Sequence, residues 1–366
     1  MEGKQRKGKL VTKMKKLRRD ELIELPDSVL LHIMKFMDTK YAIQTCVLSK
    51  RWKNLWKSLT NLTFNSSHFS TLNKFTKFVS FVLSNRDDSI SLLDLDFKRH
   101  GSVEPKFLNR LIKYVVLHNV QHLTIDAKLS FRANFEFPSF IFNCQFLSSL
   151  KLCIKGVASM KMLPKSLQLP ALKILHLEYF TFTACDNDLA EPFSSCYMLS
   201  SLVMGHCSLH NDAKRLSISN SKLSSLTILS SFEGRVRDTS LSTPNLVSLT
   251  IMGYSNQQLS STCNLSFLEE VNIHVVRNTD FVTIISWLQM FANVKTMTLS
   301  SSTLEILLKD LSNPGLVKSQ PPSFARLESL KVEMKQYSRI SDKNKKLTSQ
   351  YLLQNSPFDT IDIINY

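Results

Sequence analysis

The chain has 366 residues, a length that allows two or three domains, and 43% of them are hydrophobic, enough for a sizeable core. The longest apolar stretches, Phe78–Leu83 and Phe281–Phe291, fall short of the roughly 18 residues of a membrane span, and the charged N-terminus lacks the apolar segment of a secretory leader. The formal net charge is +16, but residues 1–19 hold nine Lys/Arg against one Glu, so half of the excess lies in a short tail.

That tail, MEGKQRKGKLVTKMKKLRR, reads as a solvated, disordered leader or as a nuclear import signal. No aromatic residue interleaves its charges, which disfavours base stacking. Seven cysteines are scattered without a C-x-x-C pair, mostly among apolar neighbours. Reduced, buried thiols in a soluble protein of the nucleus or cytoplasm are expected.

Residues 20–59 read as three short helices. After Pro26, Asp27 or Ser28 is placed to cap the first, with Val29, Leu30, Ile33, Met34 and Met37 on one face. Asp38-Thr39 breaks that helix and Thr39 can cap the next, which carries Ala42, Ile43, Cys46 and Val47. Ser49 can cap a third, in which Trp52, Leu55 and Trp56 fall at i, i+3 and i+4. Three helices in so few residues make a marginal domain, so part of this apolar surface should meet a partner or the next domain.

The stretch LPDSVLLHIMKFMDTKYAIQTCVLSKRWKNLW resembles an F-box of the kind common in large plant families. The resemblance rests on Leu25-Pro26-Asp27, on Leu30, Ile33 and Phe36, on Thr39-Lys40, and on Val47-Leu48-Ser49-Lys50-Arg51-Trp52 followed by Leu55-Trp56. Tyr41 departs from the pattern, which usually has a small or acidic residue there. The resemblance implies binding to a Skp-family adaptor and, through it, to a cullin and a RING subunit of an SCF ubiquitin ligase. It implies an adaptor-facing surface of Leu25, Pro26, Leu30, Ile33 and Val47, and a core of Val29, Phe36, Trp52, Leu55 and Trp56.

After a short joint at residues 60–70, the pattern apolar-x-x-apolar-x-apolar recurs. It begins as Ile90/Leu93/Leu95, Val120/Leu123/Ile125 and Leu147/Leu150/Leu152, and continues to Leu327/Leu330/Val332. Successive starts differ by 30, 27, 25, 27, 24, 23, 22, 26 and 33 residues, mostly within the period of leucine-rich repeats. Two apolar residues separated by one lie on the same face of a strand, and stacked strands share one core. Phe75–Leu83 and Phe107–Leu117 read as return helices. The expected fold class is α/β, a small three-helix F-box followed by a leucine-rich-repeat solenoid with a curved parallel sheet. With the F-box, the repeats resemble the plant F-box/leucine-rich-repeat family. Among the outward positions between core residues, Lys151, His176, Thr227, Thr250 and Asn272 are candidates for reading a target protein whose identity the sequence does not reveal.

The C-terminal TSQYLLQNSPFDTIDIINY resembles the start of the FBD module of related plant proteins in a truncated form. Leu352-Leu353 should close a last helix, and Ile361/Ile363 a last strand that caps the sheet edge. The expected divisions are residues 1–19, 20–60, 61–340 and 341–366. No phosphate-binding loop or nucleophile motif occurs. His206-Cys207-x-x-His210 lacks paired zinc-ligand spacing. Asp94 and Asp96 flank Leu95 without a base or pocket. A non-catalytic subunit without metal or cofactor and without membrane association is therefore expected. The competing reading is a nucleic-acid-binding or scaffold protein that uses the basic tail and the repeat surface, and the mostly uncharged outward positions disfavour it.

Overall fold

The computed structural model describes residues 25–129, 137–156, 162–230, 238–254, 258–276, 279–311, 321–334, 341–354, 356 and 360–365. The basic tail and parts of the FBD-like end lie outside them. The chain divides into two units, one of residues up to Lys98 with His118–Val120, the other of Arg99–Leu117 and everything from Gln121 on.

The first unit opens with α1 (Asp27–Lys35), α2 (Thr39–Gln44) and α3 (Trp52–Leu55), with a 3-10 turn after each of the last two. Pro26 occupies the N-cap of α1, where its carbonyl accepts from the amides of Val29 (3.0 Å) and Leu30 (3.1 Å); neither Asp27 nor Ser28 is the cap. Asp38 rather than Thr39 caps α2, its side chain accepting from the Lys40 amide at 2.8 Å. No side chain caps α3, which starts at Trp52 rather than after Ser49.

Strand β1 (Asn61–Asn65) follows directly and pairs in parallel with β2 (Asp94–Val103), Leu62 opposite Leu95 and Phe64 opposite Phe97. Between them runs α4 (Leu72–Asn85), whose N-cap Thr71 accepts from the Lys74 amide. Two expectations change here. The supposed joint is itself a repeat strand, because Leu59, Leu62 and Phe64 are all buried at the repeat spacing. The next triad is Leu92/Leu95/Phe97, which is buried, and not Ile90/Leu93/Leu95, since Ile90 and Leu93 are only half-buried. Leu92 and Val120 then stand 28 positions apart, inside the repeat period that Ile90 exceeded.

The second unit begins with α5 (Pro105–Leu117) and then lays down β3 (His122–Leu129), β4 (Ser149–Lys155), β5 (Ile174–Glu178), β6 (Thr181–Phe182), β7 (Leu189–Ala190), β8 (Ser201–Gly205), β9 (Ser208–Leu209), β10 (Arg215–Ser219), β11 (Ser225–Ser230), β12 (Asp238–Ser242), β13 (Ser248–Gly253), β14 (Gln258–Ser261) and β15 (Glu270–Val275). Then follow α6 (Phe281–Met290), β16 (Thr296–Ser300), α7 (Ser301–Leu311), β17 (Ser329–Met334), α8 (Asp342–Leu352) and β18 (Asp362–Asn365). Within this unit the main sheet runs β3-β4-β5-β8-β11-β13-β15-β16-β17-β18, with parallel neighbours.

The return segments are of two kinds. Helices α6 and α7 return between β15 and β16 and between β16 and β17. Four middle repeats return through short extended pieces that form a second parallel sheet, β14-β12-β10-β7. Serine hydroxyls also tie some neighbouring repeats together. The hydroxyl of Ser224 donates to the Ser200 carbonyl at 3.0 Å, and that of Ser200 to the Lys173 carbonyl at 3.1 Å. The thiols are less buried than expected. Cys144 and Cys196 are buried, while Cys46, Cys153, Cys185, Cys207 and Cys263 are half-buried, and none forms a disulfide.

Candidate protein-docking site

The three helices divide their apolar residues between an inner and an outer face. Leu30 and Met34, one turn apart, point inward with Ala42, Trp52, Leu55, Trp56 and Leu59. Val29, Ile33 and Phe36, at i, i+4 and i+7, form an outer stripe that is 39%, 41% and 77% exposed. Val47, at 84%, and Leu48 continue the exposed apolar character beyond α2. The expected assignment changes for three residues. Leu30 is fully buried and so cannot face an adaptor, whereas Val29 and Phe36 lie outside the core that was expected to hold them. The 3.6-residue repeat of a helix explains the exchange, because Leu30 lies about 100° from Val29 and joins Met34 on the opposite face. Of the other adaptor-facing candidates, Pro26 is exposed and Leu25 half-buried.

The inner face is closed by the residues that follow it. The rings of Trp56 and Phe81 lie 6.0 Å apart, and Phe64 meets Phe78 edge-on at 6.3 Å. The hydroxyl of Thr39 accepts from the Thr63 amide at 2.9 Å, while His68 faces Asp38 at 3.1 Å and the Lys40 ammonium donates to the His68 carbonyl. Arg86, 5% exposed, gives the joint its strongest polar tie. Its Nε and Nη2 both donate to the Leu59 carbonyl (3.0 and 2.9 Å), Nη2 donates to Ser91 and Nη1 to Asp87. Charge-assisted bonds of this kind rank among the stronger hydrogen bonds, and they satisfy a buried cation through backbone carbonyls. The helical stretch, too small to stand alone, thus uses the first repeat as part of its core. Among the described residues, the outer stripe stays exposed.

On the outer face of the main sheet, Lys151, His176, Thr227, Thr250 and Asn272 fall in a single row that runs through Val203, one residue per strand. In the adjacent row Glu178 is a built-in anion. It accepts from His176 Nε2 at 2.8 Å and from the Cys153 thiol at 3.1 Å, which holds its carboxyl at about 2 despite partial burial. Burial and the same carboxylate push the Cys153 thiol up to about 12, so it is a poor nucleophile. Of the histidines read as a doubtful metal pair, His206 stacks on Tyr179 at 4.8 Å and His210 pairs with Asp212 at 3.0 Å. Asp96 pairs with Lys98 at 2.9 Å.

The comparisons with known proteins find the same two parts. The F-box domain model matches residues 22–64. A model described as FBD-associated F-box protein At5g56370, LRR repeats, matches residues 108–266. The chain thus matches family models of the F-box and of FBD-associated leucine-rich repeats, and its homologues are Arabidopsis F-box/FBD/LRR-repeat proteins. It is 29% identical over 309 residues to F-box/LRR-repeat protein 13 of Arabidopsis thaliana, covering 79% of this chain and 66% of that one. It is 28% identical over 349 residues to F-box/FBD/LRR-repeat protein At1g78750 of the same plant, covering 87% and 72%. FBD-associated F-box protein At1g66310, also from Arabidopsis, is 29% identical over 338 residues, covering 86% and 71%. The chain thus spans about two thirds of the length of these relatives.

Proposed function

We propose that this F-box/leucine-rich-repeat chain is the non-catalytic, substrate-recognition subunit of an SCF-type ubiquitin ligase. A Skp-family adaptor would dock on the outer F-box stripe, and a cullin and a RING subunit would follow through it. A target protein would be held on the repeat sheet, raising its effective concentration near the loaded ubiquitin carrier. The division of labour proposed is F-box at residues 20–60, repeats at 61–340 and an FBD-like end at 341–366, with action in the nucleus or cytoplasm. Among the described residues, no helix is long and apolar enough to cross a membrane.

One observation carries this reading: Val29, Ile33, Phe36 and Val47 are exposed on a helical stretch whose inner face is already filled. Large apolar side chains held outward on a supported scaffold are typical anchors of protein interfaces. Reconstitution with adaptor, cullin and RING subunit tests it. The wild type should co-elute with the cullin only when adaptor is present, and Phe36→Asp should not. Cullin recruitment that does not need the adaptor would refute the assignment.

A further inference from the structure

Among the described residues, the strands in the middle of the main sheet carry no charged side chain on their outer face. On β8, β11 and β13 one outward row is serine throughout, the next is Val203, Thr227 and Thr250, and the third is Gly205, Leu229 and Met252. Met252 is 38% exposed, and Tyr254, just past the end of β13, is 43% exposed. Charged groups resume on both sides: His176 and Glu178 lie 2.8 Å apart on one flank, and His274 and Glu333 lie 3.7 Å apart on the other. Gly205 gives the patch one wall. A Cβ there would come within 2.6 Å of Glu178 Cγ, so the glycine lets the stem of Glu178 lie across the neighbouring strand.

We infer that this uncharged patch is the centre of the target-binding surface, and that the target presents an uncharged segment with a large aliphatic or aromatic side chain. The inference rests on the proposed role of the repeats in holding a target. Interface centres are depleted of charge and enriched in Met and aromatic residues, with charge at the rim, and this patch follows that distribution. The hydroxyls of the serine and threonine rows can satisfy the backbone of an apolar segment without demanding charge.

The test uses the purified full chain bound to a Skp-family adaptor, with a displayed library of short random peptides as probe. The selected peptides should be apolar and poor in Lys, Asp and Glu. Leu229→Glu and Thr250→Lys should each weaken them by about tenfold or more, while Thr296→Lys, two strands away, leaves them unchanged. A library that yields charged peptides, no peptides, or peptides insensitive to both substitutions overturns the inference. Adaptor binding, read in the same samples, separates the two ideas. Its persistence beside a failed selection sinks only the patch, whereas its absence in the wild type sinks the ligase role.

Discussion

At the residue scale, position along a helix decides function more than residue type. Leu30 and Ile33 are both large aliphatic residues in the same motif, yet one is fully buried and the other exposed. Leu30→Asp should therefore unfold the F-box, by several kcal/mol, because it buries a charge. Loss of adaptor binding in that variant would say nothing about the interface; Ile33→Asp should abolish binding while thermal unfolding stays near the wild-type temperature. Arg86 offers a second case. Arg86→Ala leaves the Leu59 and Ser91 carbonyls short of donors, and a loss of about 1–3 kcal/mol in denaturant unfolding is expected. Unchanged stability would show that water replaces the guanidinium. Glu178 ties stability to pH. Its carboxyl, ordinarily near 4.5, is held at about 2 by the His176 bond, so its contribution is complete above pH 4.5 and disappears as pH falls through 2. Glu178→Gln should lower the unfolding temperature at pH 6, with the difference from wild type vanishing as pH approaches 2. A difference that persists at the acid end would assign the effect to packing.

At the element scale, the repeat strands were legible because buried pairs such as Leu150/Leu152 and Leu249/Ile251 carry a period of two at a regular interval. Legibility failed where that signal overlapped another. Leu59, Leu62 and Phe64 fit the repeat spacing as well as any later triad, but they follow the F-box tryptophans without a break and read as a joint. The second sheet was invisible for a different reason: β7, β12 and β14 are only two to five residues long, and β12 and β14 are rich in Ser and Thr, so pairing to neighbouring repeats creates them rather than their own pattern. In the F-box, the tryptophans were legible as core residues, while the outer stripe was only partly so. Families of motif residues do not reveal which of two adjacent aliphatic residues points inward. Because Trp56 joins the helices to α4 through Phe81, Trp56→Ala should cost about 3–5 kcal/mol and loosen both elements together. Hydrogen exchange should show faster amide exchange in α1 and α4 alike; protection retained in α4 would mean that the F-box unfolds independently.

At the scale of the whole molecule, the two surfaces differ in chemistry. The F-box surface is a stripe of large apolar side chains on a helix whose opposite face is sealed against β1 and α4. Among the described residues, the repeat surface is a broad sheet with an uncharged centre and with His176, Glu178, His274 and Glu333 on its flanks. Calorimetric titration of a purified Skp-family adaptor into the full chain tests the central claim most directly. The account predicts that Ile33→Asp/Val47→Asp weakens binding by a hundredfold or more, about 2.7 kcal/mol, while the unfolding temperature and binding to the repeat sheet are unchanged. Adaptor affinity within threefold of wild type in that double variant would contradict it.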